Sequence, residues 1–354
     1  CVEDFLTDSL KKELKKAKII INIHYYENAL LETTRICECL SMNTGLIISE
    51  NSGDIDEYKD IKNMIELVDV DNVEELKEKI RFYLNNELEY KKKIKENKDL
   101  IISAKCKAFE YYLYRFLLAT DNIDFEEFYQ LANSYIKFKG NKWCLGLPEA
   151  TIRHESFEND NIYGFEYFPG LRHSLGWIGC GLSYKFLLRK AKELNLPYVT
   201  ICEDDVSFNN NFEIRLNNII KYLEDNKEKW NIFSGLMADV SEETQVKSID
   251  KFNDMEFIIV NKLISMVYNI YNNNAFECLE DWDSNNRDVV TNTIDRFIEK
   301  KIDLNIVIVL PFLVSCKNEL ESTLWGFKNI QYENMITASE EKIYSKISRF
   351  KHGE

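Results

Sequence analysis

The sequence predicts an α/β protein with two sheet-bearing parts, and three observations carry that reading. Short apolar runs alternate with amphipathic helical stretches over the first hundred residues. A second alternating region opens at Lys142, after a helical stretch rich in aromatic residues. Within it, Leu196 to Phe208 (LPYVTICEDDVSF) reads as a buried strand, Tyr198 to Cys202, that stops abruptly in three acids, Glu203, Asp204 and Asp205.

A chain of 354 residues with 45% apolar content is long enough for two or three cores. Its formal charge of −15 argues against nucleic acid or an anionic membrane as the main partner. The nine cysteines are scattered without a C-x-x-C pair, as expected of reduced thiols in the cytoplasm. No apolar run is long enough to span a bilayer, which leaves peripheral association at the inner face of a membrane open. The start lacks both Met and a signal pattern, so the expectation is a beginning inside a longer polypeptide. With 12 Gly and 4 Pro there are few flexible linkers, and the expected division is 1–96, a helical connector at 97–140, and 141–354.

Taken in order, residues 3–17 carry charges at helical spacing, Ala17 to His24 is a strand, and Asn28 to Ser41 is a helix closed by Asn43-Thr44-Gly45. Leu46 to Ser49 is a second strand, Met64 to Val70 a weaker third, and Val73 to Asn86 a polar helix. Glu87 to Asn97 is a charged helical run, read as a solvated face. From Leu100 to Phe138, two or three helices carry aromatics from Phe109 to Tyr135 that are expected to pack as core rather than as a carbohydrate platform.

The Asn22-Ile23-His24 strand end, the helix with Arg35 and Glu38, and the strand from Gly45 to Glu50 resemble the carboxyl-terminal half of the nucleotide-binding domain of two-domain (GT-B) glycosyltransferases. The resemblance implies a partial Rossmann-like unit with Glu38 at the donor ribose and Glu50 facing the donor cleft. The family's paired glutamate falls at Leu30, and Glu27 or Glu32 would replace it only with different geometry. Because the amino-terminal half of such an enzyme is absent, this part is expected to be a remnant. Arg35 and Glu38 also read as an ordinary i,i+3 ion pair. His24 reads equally as core residue or ligand.

In the second part, Lys142 to Leu147 is a strand, followed by a loop or helix that exposes Arg153. After a polar, aromatic loop, Arg172 to Tyr184 holds three glycines, with Gly179 and Ser183 among the residues opening a helix that runs through Leu194. Glycines there let the backbone come close either to an anion or to neighbouring chain. In the acid run, strand alternation sends Glu203 and Asp205 one way and Asp204 the other, at the sheet edge where open α/β sheets bind ligands. Close carboxylates need a cation between them, and hard oxygen ligands suit Mg²⁺ or Mn²⁺ holding a diphosphate. A solvated acidic turn is the alternative. Beyond it come a helix at 212–226, a strand at 230–235, a strand pair at 257–260 and 264–268, a helix at 272–280 and a strand at 306–310.

The order of these parts resembles glycosyltransferase family 25, the lipopolysaccharide and procollagen galactosyltransferase type, over about 142–325. The carrying segments are LPEATIRHESF, GWIGCGLSY and YVTICEDDVSF, with Thr293-Ile294-Asp295 and NELESTLW at 318–325 matching later elements. The resemblance implies a GT-A-like nucleotide-sugar-binding domain with a mixed sheet. It further implies inverting transfer of a hexose, galactose by preference, from a UDP-sugar to a saccharide or glycan acceptor in cell-surface glycan biosynthesis. Glu203 and Asp205 would hold Mn²⁺ or Mg²⁺, and Asp204 would reach the ribose or orient the pair. Asp295 is the candidate base, with Asp239, Asp281 and Asp283 as rivals. Arg153, Arg172 and His173 are candidate phosphate contacts, and Gly179 and Ser183 would touch the donor. Tyr184 replaces the family's histidine. The rival reading is a non-catalytic carbohydrate-binding or scaffolding module of a larger glycosyltransferase. A two-metal nuclease or phosphatase lacks a second acid-rich strand end.

Overall fold

The computed structural model describes residues 8–25, 29–42, 45–102, 108–301 and 304–353, and the chain divides into two compact units, Cys1–Tyr111 and Tyr112–Glu354. The first unit contains α1 (Asp8–Leu14), β1 (Ile19–Asn22), α2 (Thr33–Met42), β2 (Leu46–Glu50), α3 (Lys59–Met64), β3 (Glu66–Val68), α4 (Val73–Asn85) and α5 (Glu87–Ile102). Helix α6 (Ala108–Ala119) spans the division, so the second half of the stretch expected as a connector goes with the second unit.

Strands β1, β2 and β3 lie side by side in that order, all parallel, as the βαβα alternation requires. β2 is buried throughout, and its period of two divides it between two layers. Ile47 packs with Leu31, Ile36 and Leu40, while Leu46 and Ile48 face Leu76, Ile80 and Ile94 of α4 and α5. Glu50, expected to face a donor cleft, is held at the strand end, where its two oxygens accept from the backbone N–H groups of His24 and Asp71. Arg35 donates to Asn22 Oδ1 in place of the expected pair with Glu38, and His24 Nδ1 lies 3.1 Å from Glu32 Oε2. Glu27 and the Asn43-Thr44 turn lie outside the described residues.

The second unit adds α7 (Phe125–Ala132), β4 (Lys142–Gly146), α8 (Thr151–Asp160), β5 (Glu166–Pro169), α9 (Gly176–Glu193), β6 (Tyr198–Glu203), β7 (Val206–Phe208), α10 (Phe212–Asp225) and β8 (Ile232–Ser234). Then follow β9 (Val246–Phe252), β10 (Met255–Val260), β11 (Tyr268–Asn272), α11 (Val289–Asn292), α12 (Ile294–Glu299), β12 (Ile306–Val309), β13 (Val314–Cys316) and α13 (Ile330–His352). Eight strands form one mixed sheet in the order β5-β4-β6-β11-β8-β12-β10-β9, and β13 pairs with β7 in a small antiparallel ribbon. β6 has β4 parallel on one side and β11 antiparallel on the other, so the acidic strand end sits mid-sheet.

Several elements differ from the sequence reading. The aromatic loop before α9 contains β5, because Phe168 is drawn fully into the core. The expected partner of β10, at 264–268, is not a strand before Tyr268; β10 pairs with β9 and β12 instead. β9 is a sheet edge whose Lys247, Asp250 and Lys251 interrupt the apolar pattern that would have marked it. The expected helix at 272–280 is a short 3₁₀ turn at Asn273–Ala275. The 23-residue α13 inserts Ser339, Ile343 and Ile347, and was not anticipated.

Of the aromatics expected to pack, Tyr111, Phe125, Phe128 and Tyr129 do so, whereas Tyr112 and Phe116 stay exposed. Phe125, Phe128 and Tyr129 of α7 are buried, and Phe186 of α9 lies among Phe128, Tyr129 and Phe168, with ring centroids 6.0, 4.9 and 5.1 Å away. Among the described residues no disulfide is formed and no helix is long and apolar enough to cross a membrane. Removing the Phe186 ring opens a cavity in close-packed surroundings. Phe186→Ala is expected to lower unfolding free energy by about 3–5 kcal/mol, read from urea denaturation; a loss under about 1 kcal/mol would show that these rings are not a core.

Candidate active site

The acid run leaves the sheet at its own corner. β6 ends with Glu203, whose N–H donates to Val267 O, and Asp204 and Asp205 turn the chain toward β7. Asp204 N–H donates to Leu145 O at 3.1 Å, and Asp205 O accepts from Lys317 N–H at 2.8 Å. Alternation therefore stops one residue earlier than the sequence pattern suggested. Asp204 and Asp205 do not part to opposite faces; both reach the same guanidinium.

That guanidinium belongs to Arg153, expected at the surface but only 8% exposed. It projects from α8, and its Nε donates to Asp204 Oδ1 at 2.7 Å while Nη2 lies 3.1 Å from Asp205 Oδ2. Nη1 donates to Glu321 O at 2.9 Å. Asp205 Oδ2 also accepts from Asn329 Nδ2 at 2.7 Å. Burial alone would lower the Arg153 pKa, but Asp205 and Asp204 outweigh it and hold the group cationic. Asp204, 2% exposed, is raised by desolvation in spite of its arginine. Among the described residues Glu203 forms no ion pair, and burial together with Asp205 pushes it up to about 8.

Arg153, Glu203, Asp204 and Asp205 line one cavity of about 760 Å³ with Ser183, Asp239 and Asp295. Asp295, at the start of α12, accepts from Arg296 N–H through Oδ1 at 2.8 Å. Its charge is felt at Glu203. Of its rivals, Asp239 lines the cavity but faces Lys342 at 3.4 Å and Arg296 at 3.6 Å. Asp281 is held by Lys301 at 2.6 Å, and Asp283 sits exposed in a turn, accepting from Asn285 N–H. The structure thus brings Arg153, Glu203, Asp204, Asp205 and Asp295 together, while Glu38 is carried by α2 of the first unit.

The glycine-rich helix start favours packing over an anion contact. A methyl at Gly179 would lie 2.7 Å from Leu171 O, so the position is closed by backbone. Ser183 accepts from Leu171 N–H and donates to Gly179 O, which ties that loop to α9. His173 Nδ1 accepts from Leu175 N–H at 2.9 Å, and the ring's pKa is lowered by burial and by Arg287. Tyr184 is fully buried and donates to Met266 O at 2.7 Å, so it locks α9 to the segment entering β11. Arg172 keeps a largely exposed side chain at the cavity wall.

Two residues escaped sequence reasoning. Asn329 precedes α13, and its bond to Asp205 spans 124 positions with no local signal. Gly146 reads as the end of a strand, yet a methyl there would fall 2.5 Å from Asp204 Oδ2 and 2.8 Å from the Tyr167 hydroxyl. Two carboxylate oxygens, Asp204 Oδ2 and Asp205 Oδ1, are buried without a hydrogen-bond partner. Such atoms suit a divalent cation with oxygen ligands. Among the described residues no three His, Cys, Asp or Glu side chains form a ready ligand set. Of the pair expected to hold a cation, Asp205 presents one such oxygen, while the other belongs to Asp204 rather than Glu203.

The chain matches a known protein family over part of its length. The family model of Glycosyltransferase family 25 (LPS biosynthesis protein) covers residues 155–261. It begins within α8, takes in Ser183 and the acids after β6, and ends just past β10, before Asp295. No curated protein matches the chain.

Arg153→Met leaves two buried carboxylates without their cation. It is expected to cost about 3–5 kcal/mol in urea denaturation at neutral pH, and a near-neutral result would mean the acids do not depend on it. Glu203 supplies a pH test. Its folded pKa lies above the unfolded value, so its contribution is complete below the ordinary carboxylate range and is lost as pH rises toward about 8. In EDTA, Glu203→Gln should therefore gain stability relative to the parent chain across that window; a constant difference would contradict the assignment.

Proposed function

We propose that the second unit, which matches glycosyltransferase family 25 over residues 155–261, is a transferase of glycan biosynthesis that moves a hexose from a UDP-sugar to a saccharide acceptor with inversion. The observation that carries this reading is the shared cavity in which the acids at the end of β6 meet Asp295. Its topology supports a GT-A-like arrangement, with the donor at the carboxyl edge of β4 and β6.

The cavity's charge favours a cation-dependent donor. Five acids, Glu203, Asp204, Asp205, Asp239 and Asp295, line it with three arginines, Arg153, Arg172 and Arg296. Arg153 is already paired with Asp204 and Asp205, and Arg296 with Glu299. An entering diphosphate would meet net repulsion unless that excess is offset. Mn²⁺ or Mg²⁺ held by Glu203 and Asp205 would supply positive charge to neutralise the leaving diphosphate. Arg172, whose largely exposed side chain lies 3.9 Å from Glu149, would add a donor for phosphate oxygens.

In the proposed step, the acceptor hydroxyl oxygen bonds to the anomeric carbon as the bond from that carbon to the diphosphate oxygen breaks. The bonding pair leaves with UDP. Asp295 takes the hydroxyl proton: one of its oxygens is steadied by Arg296 N–H, and its side chain lines the cavity. Arg153 and Asn329 act by positioning, since each fixes Asp205 without being needed at the reacting atoms. Asp204 holds Arg153 in place.

Incubation with Mn²⁺ and a panel of UDP-sugars is expected to release UDP from at least one donor, with faster release when an acceptor glycan is present. EDTA should abolish release, and Asp205→Ala should reduce it by roughly a hundredfold. Release that is indifferent to EDTA and to Asp205→Ala would overturn the cation-held diphosphate.

A further inference from the structure

Among the cavity side chains with no part in the chemistry above is an exposed tryptophan. Trp325 lines the same cavity as Glu203 and Asp295, yet remains 49% exposed. Trp143, Trp230 and Trp282 are buried, each with its indole N–H donating to a main-chain carbonyl. An indole left half in water at a concave, polar site offers an apolar face for a ligand to cover.

The segment that carries it is already ordered. An antiparallel bridge between Glu321 and Lys328 closes a tight hairpin, with Ser322 N–H donating to Phe327 O and Gly326 N–H donating to Ser322 O. Gly326 has φ +70°, the left-handed turn conformation that glycine accepts freely. Ser322 Oγ accepts from the N–H groups of Leu324 at 3.3 Å and Trp325 at 3.2 Å. Leu324 rests against Gly176 at the start of α9. Both ends are tied to the acids: Arg153 donates to Glu321 O, and Asn329 donates to Asp205. The hairpin and the acid corner therefore hold a fixed relation before any ligand enters, which lowers the ordering cost of binding.

We propose that Trp325 is the platform on which the acceptor sugar stacks. The substrate class is a saccharide that presents one C–H-rich ring face to the indole. Ser322 and Thr323 line the cavity beside Trp325, and their hydroxyls suit the polar edge of a sugar better than a wholly apolar partner. This inference rests on the transferase reading above, and it assigns the hairpin to the acceptor rather than to the uracil of the donor.

The test combines kinetics and binding. Steady-state rates are measured with the best UDP-sugar, varying donor and acceptor separately, and acceptor-independent UDP release is recorded alongside. Trp325→Ala is expected to raise the acceptor KM by about tenfold or more, with donor KM and acceptor-independent release within about twofold of the parent. Trp325→Phe should recover most of the loss, which a folding defect would not predict. An unchanged acceptor KM, or a rise in donor KM instead, overturns the proposal. If the parent chain releases no UDP from any donor, the transfer reading fails on that result. Stacking is then judged by saturation-transfer NMR with methyl hexosides. Ring-proton signals that vanish with Trp325→Ala and persist with Trp325→Phe support it, while signals of equal strength in all three proteins, or no signal in any, refute it.

Discussion

A single buried guanidinium holds the second unit's functional end together. Two carboxylates withdrawn from water beside one another are unstable as neighbours, and each loses hydration that only a cation or strong donors can replace. Arg153 answers both needs with a planar fork that meets Asp204 and Asp205 and still reaches Glu321 O. Three distant stretches converge there: the helix after β4, the turn after β6, and the hairpin before α13. A lysine would bring the charge without the fork, and would leave part of this junction unmet.

The same junction sets what remains free for chemistry. By engaging Asp204 Oδ1 and approaching Asp205 Oδ2, the arginine leaves one oxygen of each aspartate buried without a partner. Glu203 sits beside them with its pKa raised by burial and by Asp205. The corner is thus fixed in position but electrostatically incomplete, a condition suited to a group that brings positive charge and exchangeable ligand sites. Gly146 makes room for this arrangement, since even a methyl would collide with Asp204.

The first unit follows a different logic. Part of its buried polar set is mutually satisfied: Asn22 bonds Ser49, Glu32 and Arg35, and Glu50 closes two loops through backbone amides, whereas the His24 ring nitrogens and Asn97 Oδ1 are buried without a hydrogen-bond partner. Groups engaged in this way stabilise the strand ends. Glu38, placed by resemblance at a donor ribose, lies half-buried on α2.

The sequence by itself determined where strands and helices alternate and where the acids would fall. Apolar runs such as Tyr198 to Cys202, bounded by Pro197 and Glu203, carry their period and limits locally, so the strand bearing the acids was legible, as were α9 and β2. Elements whose signal is not local were not. β9 bears charges because it is an edge, and β5 is a strand because Phe168 finds Phe186 and Phe138 across the core. The tertiary structure alone decided that Arg153 lies inside rather than outside, because its partners are 51 and 52 residues away and no window around it contains them. Asn329 and Trp325 join the site for the same reason: their place is set by where the chain returns.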